Sequence, residues 1–395
     1  MTTQIGIGFS QSLDAETAAR DAAFQSKTNL NADQIDIALI FSTIHYNPSQ
    51  TLPILQTVLN QARMIGSSTA GIILSDSIET RGIAVLTISS DEMKFGAGFI
   101  DSLDGQDIHR AGNLLARNTL ADFGRYSRHA FLFLVDGHLE NNSILLKGIQ
   151  EILGNVFPIL GAGSCDDFHF AGTFQLFQNN ILTNAAAGLI IGNHASVSVG
   201  CRHGWRPLGK PRIIDKADGN IIQTISGKKA FSLYEEYFGD EVAGLHSGQF
   251  GQMSILYPLG IFIEGSNEYL LRNTVAIRPD GSIVCQGDVP EGAEVHIMIS
   301  NKDSCKQAAI IAAEEVQNGL AGKKPKLIII FESMARLKLL GRMAFEEIEN
   351  IKHILGADVP IIGMYTNGEV CPFQTVEKFK KPYLLNESIL VLTVS

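Results

Sequence analysis

The chain lacks any excess of positive charge. Its formal net charge is −10 and it has no basic run, which argues against a nucleic-acid partner. Lys323, Lys324 and Lys326, and later Lys378, Lys380 and Lys381, read as small solvated clusters. The five cysteines, Cys165, Cys201, Cys285, Cys305 and Cys371, are odd in number and contain no C-x-x-C pair. That pattern excludes a disulfide framework and a zinc site, and it suits a reducing compartment. The beginning, Met1-Thr2-Thr3-Gln4, has neither the basic nor the apolar part of a signal peptide. The longest apolar run, 185–191, is far too short to span a bilayer. A soluble, cytoplasmic protein without membrane insertion is the expectation. None of the glycine-rich segments matches G-x-x-x-x-G-K-[ST] or G-x-G-x-x-G, so a nucleotide fold has no support. Charged residues make up only 18% of the chain against 45% hydrophobic, so a large core is available and disorder is not expected. A length of 395 residues suits two domains better than one.

What the chain does have is a repeated frame. Residues 152–161 read I-L-G-N-V-F-P-I-L-G and residues 354–363 read I-L-G-A-D-V-P-I-I-G. A weaker relative, Met64-Ile65-Gly66, leads into Ser67-Ser68-Thr69-Ala70-Gly71. An apolar strand precedes each, at 36–41, 130–135 and 326–331, with a helix-compatible segment between. Strand, helix, short strand and glycine turn is a crossover unit, and meeting it three times implies repetition. The expected fold is α/β (mixed α+β): two related domains, 1–203 and 204–395, each a mixed sheet with crossover helices. An internal duplication then places Gly161 and Gly363 in equivalent positions. Segments 82–89 and 93–100 alternate as an antiparallel pair, and Asp218-Gly219 and Asp280-Gly281 signal hairpins. Residues 202–209 hold the single tryptophan, Trp205, and read as the hinge between halves.

Several chemistries are open at the strand ends. Consecutive N–H groups at Gly/Ser-rich turns make a donor concavity for a carboxylate or phosphate, and Ser68, Thr69 and Ser164 add hydroxyls. The blander reading is that the glycines only permit turns with positive φ. Asp136, Asp166, Asp167, Glu332 and Glu369 all follow predicted strands and would take an ammonium group, unless each merely caps a turn or helix. Arg272 and Arg336 are the candidates for a carboxylate fork. Together they point to a small zwitterion, held in a cleft lined by Ser68, Thr69, Asp136, Ser164, Asp166, Arg336, Thr366 and Glu369. Catalysis is the weaker class. Cys165 would need His138 or His169 as its base, no spacing supports a hydrolase or transferase, and no enzyme and no metal are expected. His203, before Gly204-Trp205, is the histidine to test as a proximal haem ligand.

The residues also carry a family resemblance. Gly66-Ser-Ser-Thr-Ala-Gly71, Asp136-Gly137, the run 161–167 and Gly204-Trp-Arg-Pro-Leu-Gly209 resemble the signature of a FIST N domain. The run 288–294, Glu346-Glu347 and the run 365–369 resemble the matching FIST C domain. The resemblance implies an intracellular sensory module for a small ligand, an amino acid above all, with haem in members that resemble nitric-oxide sensors. Relatives of this kind are often joined to histidine kinases, chemotaxis receptors, cyclic-dinucleotide enzymes or F-boxes. No such segment stands in this sequence, so the expected output is through a separately encoded signalling partner. Two positions depart from the family pattern: its Cys-x-x-Arg is Ser333-Met334-Ala335-Arg336 here, and Asn367 precedes the last Gly-Glu.

Overall fold

The computed structural model describes residues 3–60, 62–139, 141–166, 172–239, 242, 255–264, 268–373 and 381–395. Three apolar strands buried on both faces organise it, each with a parallel partner reached through a helical crossover. The first unit runs β1 (Thr3–Ser10), α1 (Ala15–Leu30), β2 (Ile37–Thr43), α2 (Pro48–Val58) and β3 (Met64–Thr69). A short hairpin, β4 (Ile72–Leu74) and β5 (Ile78–Glu79), follows, and β6 (Ile83–Ser90) ends the unit. The second repeats the order as β7 (Met93–Ile100), α3 (Ile108–Phe123), β8 (Arg128–Val135), α4 (Asn142–Leu153) and β9 (Ile159–Gly163). Its hairpin is β10 (Gln175–Phe177) with β11 (Asn180–Leu182), and β12 (Ala186–Asn193) ends it.

The third unit opens with β13 (Val197–Arg202) and is then interrupted by an insertion. The insertion holds β14 (Arg206–Asp218), β15 (Ile221–Ile225), β16 (Lys228–Lys229), α5 (Ser232–Phe238) and β17 (Leu259–Ile261). It continues with β18 (Leu270–Arg272), β19 (Thr274–Ile277), β20 (Ile283–Cys285) and β21 (Glu294–Ile299). The unit resumes as α6 (Lys302–Gly319), β22 (Leu327–Ser333), α7 (Met334–Leu340), α8 (Ala344–Leu355) and β23 (Ile361–Thr366). The hairpin β24 (Glu369–Pro372) and β25 (Pro382–Leu385), then β26 (Ile389–Val394), completes it.

Each unit builds one mixed sheet and lends its hairpin to another. The sheets run β1-β6-β2-β3-β10-β11, β7-β12-β8-β9-β24-β25 and β13-β26-β22-β23-β4-β5. The first hairpin therefore serves the third sheet, the second serves the first, and the third serves the second. The insertion forms the fourth sheet. Its pairings run β18-β17-β21-β14-β15-β20-β19, and β18 continues into β19 through Asn273, so the ribbon closes into an antiparallel barrel. Ile214, Ile222, Leu259, Ile283 and Ile297 are fully buried in its core.

The expected mixed α/β sheets with crossover helices are present, and the repetition read at three glycines holds in all three. Gly66 pairs with Ile40, Gly161 with Phe133 and Gly363 with Ile330, the same register position in three parallel pairs. Their role differs from the one expected. None has a positive φ, and none lies in a turn. A Cβ would stand 2.7 Å from the Ile40 carbonyl oxygen, 2.5 Å from the Phe133 ring and 2.3 Å from the Ile330 carbonyl oxygen. Close approach of the neighbouring strand selects glycine there.

One pairing was misread. Segments 82–89 and 93–100 do not form a hairpin: β6 pairs with β1 and β2, while β7 pairs with β12. Alternation specifies a face and not a partner. The signals at Asp218-Gly219 and Asp280-Gly281 do turn hairpins, β14 with β15 and β19 with β20. At the expected 203/204 boundary, β13 pairs with β26 at the far end of the chain and the barrel starts two residues beyond Gly204. Trp205 is buried there against Leu271, Met298 and Cys305. Among the described residues no helix is long and apolar enough to cross a membrane.

Candidate functional site

Because the three parallel pairs share a register, their C-terminal ends meet. Thr69, Ser164 and Thr366 each stand three residues beyond the strand glycine, and all three are fully buried. The ends are tied in a ring. Cys165 N–H donates to the Ser68 carbonyl (3.1 Å), Asn367 N–H to the Gly163 carbonyl (3.0 Å), and the Thr69 hydroxyl to the Tyr365 carbonyl (2.7 Å). The side chains are committed too. Ser68 Oγ accepts from Phe174 N–H at 3.1 Å, and Ser164 Oγ accepts from Gln175 Nε2 at 2.7 Å and from Gly137 N–H at 3.2 Å. The Thr366 hydroxyl donates to the Glu332 carbonyl (3.1 Å) and lies against the Glu369 carboxyl.

The acids at these ends serve the same internal framework. Asp136 Oδ1 accepts from His138 N–H (2.8 Å) and the Thr173 hydroxyl (2.9 Å), and its Oδ2 from Asn184 N–H (3.0 Å). It anchors a turn. Asp166 is buried, with Oδ1 3.5 Å from His138 Nε2, and this contact raises the His138 pKa. Glu369 Oε2 accepts from both the N–H and the hydroxyl of Ser388, at 3.3 and 2.6 Å. Burial nevertheless pushes Glu369 up to about 7 and its neighbour Glu387 to about 8. Asp167 and His169 lie outside the described residues.

Arg336 stands apart from the hydroxyls and is fully enclosed. Its Nε donates to Glu332 at 3.1 Å, and its Nη atoms reach the carbonyls of His203 and Cys305 and the Glu347 carboxylate. Burial and the adjacent Glu347 push the Glu332 pKa well above the ordinary carboxylate range. Arg336 is an internal brace between α7, α8 and the start of α6. His203, the haem candidate, has both ring nitrogens engaged. Nδ1 accepts from Trp205 N–H at 2.8 Å, which leaves the proton on Nε2 to donate to the Tyr269 carbonyl at 3.1 Å. Burial lowers its pKa. Cys165 is buried, with Sγ 3.4 Å from Met334 Sδ. Among the described residues no group of three or more His, Cys, Asp or Glu is arranged to hold a metal ion.

An opening does exist, on one flank of this convergence. A cavity of about 380 Å³ lies where the barrel ends meet α4 and the lent hairpin β24–β25, at the small end of ligand-sized pockets. Leu146, Leu270, Val289 and Leu384 give it apolar walls, and Lys147, Arg272, Asp288, Lys381 and Tyr383 its polar groups. Asp288 is paired with Lys147 and accepts from Asn141 Nδ2 at 2.6 Å. Burial works to raise the Asp288 pKa, but these two partners hold it below the usual carboxylate range. Lys381 Nζ sits 5.5 Å from the centre of the Tyr383 ring. Sequence reasoning had reached Arg272 alone among these. Lys147, Lys381 and Tyr383 share no motif, because three separate segments bring them together; the run at Asp288 was visible only as a family signature.

The FIST N domain model matches residues 36–228 and the FIST C domain model residues 230–372. An uncharacterized protein of Mycobacterium tuberculosis is 24% identical over 380 residues, covering 93% of this chain and 95% of the relative. One from Mycobacterium bovis is 22% identical, covering 93% and 94%. Among solved structures, a cyanuric acid hydrolase of A. caulinodans aligns over 100% of this chain and 99% of its own, with TM-score 0.40 and 8% identity. A second cyanuric acid hydrolase gives TM-score 0.37 and 9% identity over 100% of both chains. Likeness at that level says nothing of activity. With both domain models matched in order over most of its length, the chain belongs to the FIST family.

Proposed function

We propose that this chain is a sensory module that binds a small amino-acid-like ligand in the cavity beside α4 and reports its occupancy to a separately encoded signalling protein, such as a histidine kinase or receptor. FIST domains are sensory domains, and that is the general support. The observation that carries the reading is the composition of the cavity wall. Ser143, Leu146 and Lys147 belong to the FIST N match, whereas Arg272, Asp288 and Val289 belong to the FIST C match. An occupant touches both α4 and the barrel, so it has differential contact with any state in which those two elements separate, and that is the requirement for a ligand to shift a conformational equilibrium. Cations and a carboxylate facing one small volume suit a zwitterion, and the apolar walls suit its side chain. On this reading the chain performs no catalytic step.

A thermal scan against the common amino acids tests it. A ligand that binds only the folded state adds about 2.7 kcal/mol at a hundredfold excess over Kd, so the midpoint should rise for one or a few of them. Asp288→Asn should remove the rise. A flat response across the panel would reject the amino-acid reading.

A further inference from the structure

Among the described residues two arginines are buried, and they are treated differently. Arg336 has Glu332 and Glu347 against it. Arg272 is 2% exposed and has no carboxylate within ion-pair distance among the described residues. Its Nε donates to the Asp288 carbonyl and its Nη1 to the carbonyls of Leu271 and Leu384, each at 2.9 Å. Among the described residues its Nη2 donates no hydrogen bond. The nearest acid side chain, Asp288, is already taken up by Lys147 and Asn141. A guanidinium out of water without a counter-charge is costly, and such groups are normally paired. Burial lowers the Arg272 pKa to about 10, so it stays cationic at neutral pH.

The surroundings add to the imbalance. Arg272 lines the cavity with Lys147, Lys381 and Asp288, three cations against one acid, in a chain whose net charge is −10. A locally positive concavity on an acidic protein concentrates anions. Two backbone-anchored edges of the guanidinium leave the Nη2 edge as its remaining donor, and the side chain is held by three carbonyls, so little order is lost on binding.

We infer that Arg272, supported by Lys147 and Lys381, is an anion-binding subsite that takes the carboxylate or phosphate group of a small molecule in this cavity. The inference deepens the ligand-binding reading above and supplies the end of the ligand that the barrel recognises. The Tyr383 ring, lying under Lys381, closes the subsite on its apolar side.

Calorimetric titration of the full chain with sodium phosphate and with sodium acetate, at constant ionic strength, tests it. Saturable heat is expected from at least one of them. Saturation by phosphate alone identifies a phosphate-bearing ligand, and by acetate alone a carboxylate. Lys381→Gln, at an exposed position, should weaken the binding up to about fivefold. Arg272→Lys should weaken it more than about tenfold, since an ammonium cannot present the same edge. Should that variant unfold, the paired change Lys147→Gln with Lys381→Gln replaces it, both side chains being exposed. Absence of saturable heat from both anions, or binding indifferent to these cations, overturns the inference. The outcomes separate from those of the amino-acid scan. Cation-dependent anion binding with a flat amino-acid panel sinks the amino-acid reading and keeps the subsite. A responsive panel with cation-indifferent anion binding does the reverse.

Discussion

Replacing Glu387 by glutamine should flatten the pH dependence of folding stability while leaving the fold intact in mild acid. Glu387 is fully buried in the link between β25 and β26, where it accepts from the Ser333 hydroxyl at 3.4 Å. Burial first, and the neighbouring Glu369 charge after it, raise its pKa from the ordinary 4.5 to about 8. The unfolded chain releases this proton near 4.5, whereas the folded chain keeps it to about 8. Between those values the folded state binds the extra proton, so rising pH favours unfolding. The stability involved is complete below 4.5 and is lost as pH rises through about 8. One such proton gives a slope of about 1.4 kcal/mol per pH unit, or about 2.7 kcal/mol from pH ~5.5 to pH ~7.5. Glutamine has the shape of the protonated acid and no proton to lose. It also tolerates the same left-handed backbone, φ 58°, no worse than glutamate does. Urea unfolding at several pH values, wild type beside E387Q, reads this group together with its coupling to Glu369, since titrations remote from the pair are common to both. Parallel curves would refute the reasoning, and so would a variant already weakened in mild acid, since that would mean the carboxylate is charged there.

Two further outcomes follow from the interior geometry. Gly363→Ala puts a methyl 2.3 Å from the Ile330 carbonyl oxygen of the paired strand, so urea unfolding should show a loss of about 1–3 kcal/mol; an unchanged midpoint would mean the strands can part. Native protein treated with iodoacetamide at neutral pH should label slowly at Cys165, which is 1% exposed with its thiol against Met334; fast, selective labelling would revive Cys165 as a nucleophile.

The repeat was legible because three sequence segments carry the same constraint. Gly66, Gly161 and Gly363 are each forced by a neighbouring strand, and Pro158 and Pro360 stand just before β9 and β23. The reason for the glycines was not legible, since close approach and positive φ select the same residue. Exchange of hairpins was invisible for a related reason. Ile72 and Ile73 look the same whether they serve the first sheet or pair with Met364 and Gly363 of the third. The predicted site residues do gather, with Ser68, Thr69, Ser164 and Thr366 around one crossing, but polarity at a strand end does not say whether its partner is a ligand or another strand end. Arg272 and Arg336 were indistinguishable in sequence. Only their surroundings separate the braced guanidinium from the one lacking a counter-charge.

The lending of hairpins and the distant partner of β13 bear on how this chain is made. When β13 leaves the ribosome, the strand it will lie beside, β26, is still about two hundred residues from being translated. At roughly 5–20 residues per second the wait is on the order of 10–40 s. During it the nascent chain carries an open edge, and the β4–β5 hairpin has no sheet to join until β23 is made. The barrel, in contrast, closes from contiguous sequence. A growing chain therefore matures in an order unlike its reading order, barrel before third sheet, and holding its early strands apart is work suited to a chaperone at the exit tunnel.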